Sequence, residues 1–332
     1  ARLRQDPTVW GTNQVDFPKM IAGGLDVAFY IVYVGQGPLD EDGFTRARAA
    51  AFAKFDAIDR MAARYPEHIE IARSADDVER IAASGKLVAC IGIENGYAMG
   101  TDLALIEEFH ARGARYMSIT HNRHSQLGDS HTPAEPQYGG LSDLGKQAVA
   151  EMNRVGIMVD ISHASKDAML QATKLSTAPV IASHSGARAV NDHSRNLDDE
   201  QLRLLADNGG VVQCVALASF VKSNPERDGA LRQLREELGI GRGNQDGDHE
   251  EDLEERLRKY RAGAEQINAK YPPANVQDFC DHIDHCVKVA GIDHTGISSD
   301  FDGGGGIDGF DDASEAANIT IELVRRGYTE EQ

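Results

Sequence analysis

A parallel α/β barrel is the fold this sequence asks for, on two grounds. Apolar runs alternate with amphipathic stretches along most of the chain. The runs are near-continuously hydrophobic, as strands of a parallel sheet covered on both faces are. Five of them also end in a residue able to bind a metal or move a proton: VACIGI at Glu94, YMSIT at His121, MVDIS at His163, VIAS at His184 and TGISS at Asp300. In a (β/α)8 TIM-like barrel the C-terminal strand ends converge on one face, and active sites are built there. One such ending means little; five in a single chain point to one shared site.

The elements follow in order. LDVAFYIVYV (25–34) reads as a buried strand and 44–64 as a long helix with an alanine-rich face. LVACIGI (87–93) is a strand, and 102–112 a helix capped by Thr101 or Asp102. RYMSIT (115–120) is a strand, and the polar loop 121–142 after it is long enough to be functional. Helices at 143–155, 165–173 and 198–207 alternate with strands GIMVDIS (156–162), PVIAS (179–183) and GVVQCVAL (210–217). A helix over 275–290, the strand HTGISS (294–299) and a helix over 312–326 complete the pattern.

That makes about seven β→α units where a closed barrel has eight. The deficit lies at the N-terminus, where the chain starts in a loop. Either the first strand is absent from this sequence, or the sheet is open and doubly wound. The five endings favour the barrel, because an open sheet concentrates its site at one switch point. Residues 221–272, with DGDHEEDLEERLRKY at their centre, interrupt the alternation. They read as an inserted helical arm, more a solvated hairpin than a lid or a subunit contact. Without internal repeats or a low-complexity linker, 1–332 reads as one domain carrying that insertion.

The length of 332 residues suits one such barrel. A net charge of -19 repels phosphate backbones and anionic lipid, which argues against nucleic-acid or membrane-surface partners. No apolar stretch approaches the roughly 20 residues of a transmembrane helix, and the polar opening ARLRQDPTVWGTNQVDF contains no apolar leader segment. Cys90, Cys214, Cys280 and Cys286 form no metal-binding spacing; Cys90 and Cys214, in strand-like runs, read as buried free thiols, while a Cys280–Cys286 bridge is possible but has no support in the sequence. They leave the compartment open.

His163 and His184 each leave the core after a short apolar run and a serine. A lone histidine there is most often structural. Two on successive strands, with strand spacing of about 4.8 Å, can reach one ion. Glu94, after a buried strand, is costly unless paired with an arginine, bonded to amides or bound to metal; beside two histidines a metal is the better reading. In SSDFDGGGG, Asp300 is nearer the strand end, whereas Asp302 suits local loop bonds; an EF-hand is excluded because the later glutamate is missing. His121 shares its loop with His124 and His131, and spacing does not choose among them. Arg195 can fork a carboxylate or pair with Asp198 or Asp199, and the sequence weighs these evenly.

The stretches IGIENG, YMSITHN, GLSDLGKQAVAEMNRVGIMVDISHAS, APVIASHSGARAVNDHSRNLDDE and GISSDFDGG resemble the renal (membrane) dipeptidase family of amidohydrolase-like metal-dependent hydrolases, from about Val15 to Tyr328. The resemblance implies a TIM-like barrel hydrolase with zinc as cofactor. Glu94 is then similar to the metal-bridging glutamate, and His163 and His184 to the histidines of one zinc. His121 is similar to the histidine that contacts substrate and oxyanion, Arg195 to the arginine that holds the substrate carboxylate, and Asp300 to the catalytic aspartate. The family's first strand ends in a His-x-Asp pair for the other zinc, and no such pair stands here; the first histidine is His68. Two ions are expected in the complete site, and the residues present support one.

The resemblance thus implies a dipeptidase using metal-activated water, tolerant of a C-terminal D-residue, homodimeric and often exported. The alternatives are another amide or lactam hydrolase on the same site, or an inactive relative that lacks one metal.

Overall fold

The computed structural model describes residues 6–240 and 250–332. Its sheet contains β1 (Val27–Tyr33), β2 (Ile69–Ile71), β3 (Leu87–Glu94), β4 (Ala114–Ser118), β5 (Met158–Asp160), β6 (Ile181–Ser185), β7 (Val211–Val215) and β8 (Thr295–Ser298). Every pairing between these strands is parallel. The hydrogen-bonded path runs β1-β3-β4-β5-β6-β7-β8, with β2 beside the start of β3.

That order follows the chain without reversal, whereas a doubly wound sheet reverses at its switch point. The sheet is therefore a curled, TIM-like one. Its path has an open seam: among the described residues β1 and β8 do not pair. The path holds the seven strands that the apolar runs foretold. The eighth, β2, lies off it and is only three residues long, too short for a periodic pattern to register.

Local chemistry sets the helix ends. The helix Asp143–Val155 opens where Ser142 accepts the Gly145 amide, and it stops at Gly156 in the left-handed region at φ 91°. The predicted 44–64 helix begins earlier, at Glu41, because Asp40 accepts the Gly43 amide. The 102–112 helix is observed as Ala104–Ala111. Besides the four-residue helix Ala218–Val221, which has no side-chain cap, two helices went unforeseen, Phe17–Gly23 and Ala75–Ala83. Each of these two starts with a capping side chain, Asp16 and Ser74, so a capping signal was present in the sequence.

The main core joins the sheet to the surrounding helices and includes Ile91, Ile93, Phe109, Met117, Val159, Val212 and Phe279. Ile91 and Ile93 are fully buried, each contributing roughly 1.5–3 kcal/mol. All four cysteines are buried and free. Of the insertion, residues 241–249 lie outside the described residues, including the start of its charged centre. The flanking helices Pro225–Glu237 and Glu250–Lys270 touch through Arg227 Nε donating to Asn268 Oδ1 at 3.0 Å and through Arg235 over the Tyr260 ring. The first buries none of its residues. Among the described residues no helix is long and apolar enough to cross a membrane.

Candidate metal centre and active site

The C-terminal rim of the sheet gathers the candidate residues. Glu94 is the last residue of β3, and His184 lies within the end of β6. His121, His163 and Asp300 stand in the loops just past β4, β5 and β8. The rim is also where the backbone is least relaxed. Among the described residues, the non-glycine residues with positive φ are Asn95 (81°), His163 (64°), Asp300 (55°) and Asp302 (59°). Such conformations cost energy and persist where the surroundings over-determine them, often at functional sites. At Asp300 the surroundings are the glycine run: the amides of Gly303, Gly304 and Gly305 all donate to the Asp300 carbonyl, at 3.0, 3.1 and 2.8 Å. A Cβ on Gly305 would fall 1.7 Å from the Ser299 carbonyl oxygen, so that turn requires glycine.

Four donor atoms meet at the rim. Glu94 Oε1 lies 3.1 Å from His163 Nε2, 3.5 Å from His184 Nε2 and 3.7 Å from His121 Nε2. The two Nε2 atoms of His163 and His184 are 2.8 Å apart. Donor atoms of Glu94, His121 and His163 all fall within 4.8 Å of one another. Ligands at about 2.0–2.1 Å from a tetrahedral zinc sit roughly 3.3 Å apart. The Glu94–His163–His184 separations bracket that edge length.

The hydrogen bonds behind the rings decide which nitrogen is bare. Asn122 Oδ1 stands 3.1 Å from His163 Nδ1 and can only accept, so Nδ1 carries the proton. Ser183 Oγ donates to Asp160 Oδ2 at 2.7 Å. Having one hydrogen, it accepts from His184 Nδ1, also at 2.7 Å. In the neutral rings both Nε2 lone pairs then point at each other and at a carboxylate oxygen. Three facing acceptors are stabilised by a cation between them, so the donor set fits a divalent metal ion.

The electrostatics agree. Burial and then the Arg195 charge hold His163 and His184 well below the ordinary imidazole range, and the same causes put His121 at about 4. Neutral imidazole is the form that ligates. Burial, then the Asp300 charge, pushes the Glu94 carboxyl up to about 8. Burial raises Asp300 to about 6. The carboxylates are thus gathered with too little positive charge beside them.

Arg195 does not pair with Asp198 or Asp199. Asp198 caps the helix Asp199–Asp207 and binds Lys166 at 2.6 Å, while Asp199 binds His285 at 2.8 Å and Arg203 at 3.1 Å. The Arg195 guanidinium is buried, donates Nη2 to the His184 carbonyl at 3.0 Å, and keeps Nε without a partner among the described residues. The loop histidines also separate. His124 is occupied by the loop itself: its Nε2 binds the Glu135 carbonyl, and its Nδ1 accepts the Ser130 amide. His131 bonds to Ser194 and Thr132, leaving His121 closest to Glu94. Asp302 is not local in its bonding, since its backbone and carboxylate both pair with Gln14 near the other end of the chain.

Several contributors escaped the sequence reading. Tyr33 packs edge-on against His121 with centroids 4.9 Å apart, and Lys54 donates to the Tyr33 carbonyl at 2.5 Å. Asn122 hydrogen-bonds His163, and Ser183, itself bonded to Asp160, hydrogen-bonds His184. Asp160 alone left a signal: a carboxylate inside the apolar run MVDIS.

Comparison with known proteins places the chain in a family. Residues 4–332 match the model of the membrane dipeptidase family, peptidase family M19. Dipeptidase tcpJ of Claviceps purpurea (strain 20.1) is 30% identical over 334 residues, covering 99% of this chain and 68% of that protein. Dipeptidase 3 of Rattus norvegicus is 31% identical over 325 residues, covering 96% of this chain and 55% of that protein. The chain thus spans between about half and about two thirds of these relatives. The crystal structure of the probable dipeptidase PvdM from Pseudomonas aeruginosa superposes with a TM-score of 0.81 at 34% identity, covering 96% of this chain and 84% of that one. A solved metallopeptidase, dipeptidase AC, gives 0.76 at 26% identity over 98% and 87%. These similarities agree with the barrel and with the peptide-bond hydrolase class expected from the sequence. The chain belongs to the membrane dipeptidase family, peptidase family M19.

Proposed function

We propose that this single-domain chain is a zinc-dependent dipeptidase whose ion is held by Glu94, His163 and His184. The observation that carries the reading is the meeting of those three donor atoms at 2.8–3.5 Å, with both imidazole Nε2 atoms bare. A bound zinc supplies Lewis-acid polarisation of the peptide carbonyl and lowers the pKa of water toward about 7.

The chain's own residues do the rest. Asp300, raised to about 6, takes the proton of the attacking water and delivers it to the leaving amine. Its pKa is close to neutral, which suits both steps. His121, neutral beside Glu94, donates its N–H to the carbonyl oxygen as charge develops there, a bond that strengthens toward the transition state. Arg195 turns its guanidinium to the substrate's free carboxylate, which limits substrates to short peptides. The family resemblance adds tolerance for a C-terminal D-residue, a homodimer and export to the same proposal.

The deciding experiment measures zinc per chain in the purified protein, together with hydrolysis of L,L- and L,D-dipeptides and N-acyl amino acids. Bound zinc and selective dipeptide cleavage are expected. A protein that binds no zinc and leaves dipeptides intact after zinc is added overturns the reading. Cleavage of N-acyl amino acids alone redirects it to another amidase.

A further inference from the structure

The bonds behind His184 form a directed chain. Ser183 Oγ lies 2.7 Å from Asp160 Oδ2 and 2.7 Å from His184 Nδ1. Asp160 is fully buried, and its other oxygen, Oδ1, accepts the backbone amides of Ser162 at 2.9 Å and Ser183 at 3.0 Å. Ser162 Oγ stands farther off, 3.4 Å from Ser183 Oγ, and accepts the His184 amide at 3.0 Å. The short contact to the carboxylate therefore takes the serine hydrogen. These groups sit on β5 and β6 or within two residues of β5, and the ladder joins the two strands at Asp160 and Ile181.

We infer that Asp160 is a positioning residue: acting through Ser183, it selects the His184 tautomer whose bare Nε2 faces the metal. The inference rests on the proposed role of His184 as a ligand. Burial raises the Asp160 carboxyl above its ordinary range, and the amides of Ser162 and Ser183 and the Ser183 hydroxyl, all donating to it, oppose that rise. As the carboxylate Asp160 only accepts, so the chain runs from His184 Nδ1–H to Ser183 Oγ, and from Ser183 Oγ–H to Asp160. Partners of this kind fix the tautomer and ring orientation of metal-binding histidines.

The isosteric change Asp160→Asn reverses that direction. Two backbone amides require an oxygen at the Oδ1 position, which leaves the new NH2 group facing Ser183 Oγ. The amide donates to the serine, the serine turns its hydrogen to His184 Nδ1, and the imidazole proton moves to Nε2. There it occupies the lone pair that the ion needs. The same tautomer logic makes a carboxylate-to-amide change costly beside the catalytic histidine of serine proteases. Ser183→Ala removes the chain without reversing it, so both tautomers coexist and the loss is smaller.

The test uses full-length protein labelled with ¹⁵N-histidine. Long-range ¹H–¹⁵N spectra of the metal-free protein assign the His184 tautomer, and chelator competition gives the zinc dissociation constant. The expected result is Nδ1–H in the parent and Nε2–H in Asp160→Asn, with zinc binding weakened about 10–100-fold. Ser183→Ala should give mixed tautomers and a smaller weakening. Asp160→Asn that keeps Nδ1–H overturns the inference. Should that variant fail to fold, Ser183→Ala with a single Nδ1–H tautomer and unchanged zinc binding overturns it equally. A reversed tautomer with unchanged zinc binding has a different meaning: Asp160 controls the tautomer, and the ligand role of His184 falls.

Discussion

Glu94 and Glu322 are both largely buried, and their surroundings push them in opposite directions. Glu322 accepts from Arg325 Nη2 at 2.6 Å and from Arg326 Nε at 2.7 Å, and these bonds hold its carboxyl down at about 2. Arg326 in turn reaches Asp281 at 2.7 Å and Asp284 at 2.6 Å. Every charge in that network meets its opposite within the chain. At the rim, burial and a second acid push Glu94 up to about 8, and its nearest neighbours are neutral imidazoles. A buried charge that is fully paired within the chain holds the fold together. A buried set of acceptors without a cation is a place for something to bind.

If that contrast is right, damage at the rim removes metal and chemistry, while damage at the Arg326 network removes stability. The largest effect is expected from His163→Ala, which should strip bound zinc and reduce hydrolysis to background. Full activity with normal metal content would break the contrast outright. Asp300→Asn should keep its metal and lose roughly two to four orders of magnitude in turnover, the range of a general acid–base group; near-normal turnover removes Asp300 from the mechanism. Arg195→Ala should lower kcat/KM about 10–100-fold for dipeptides with a free carboxylate, the weight of a charge-assisted hydrogen bond. Amidated dipeptides should be much less affected, and equal losses on both would defeat the clamp.

Two smaller effects sharpen the comparison on the stability side. Asp300 has a folded pKa of about 6, above the ordinary 3.8, so its protonated form favours the folded state. Its stabilising contribution is full below pH 4 and is lost as pH rises through 6. In the metal-free protein Asp300→Asn should therefore be more stable than the parent at pH 7.5, by on the order of 2 kcal/mol. That gain should vanish toward pH 4, and a pH-independent difference in denaturant melts would contradict it. Arg326→Ala should lower Tm by about 2–4 °C while leaving kcat/KM unchanged. A loss of activity there without a loss of stability would erase the distinction between the two regions.

The chain alone determined the strand-and-helix alternation, because side-chain periodicity and capping are local. Ser142, which accepts the Gly145 amide, and Gly156, in the left-handed region, bracket their helix through bonds within it. It also determined that Glu94, His163 and His184 would share a rim, since parallel strands all point their C-terminal ends the same way. Only the tertiary structure decided among His121, His124 and His131, because the choice depends on how the loop 121–142 folds back on itself. It likewise decided that Arg195 turns inward, away from the aspartates next to it in sequence, and that β1 and β8 leave a seam. The direction of the bonds from Asp160 through Ser183 to His184 belongs to the same class. Distances between residues far apart in sequence are set by packing, and no spacing along the polypeptide encodes them.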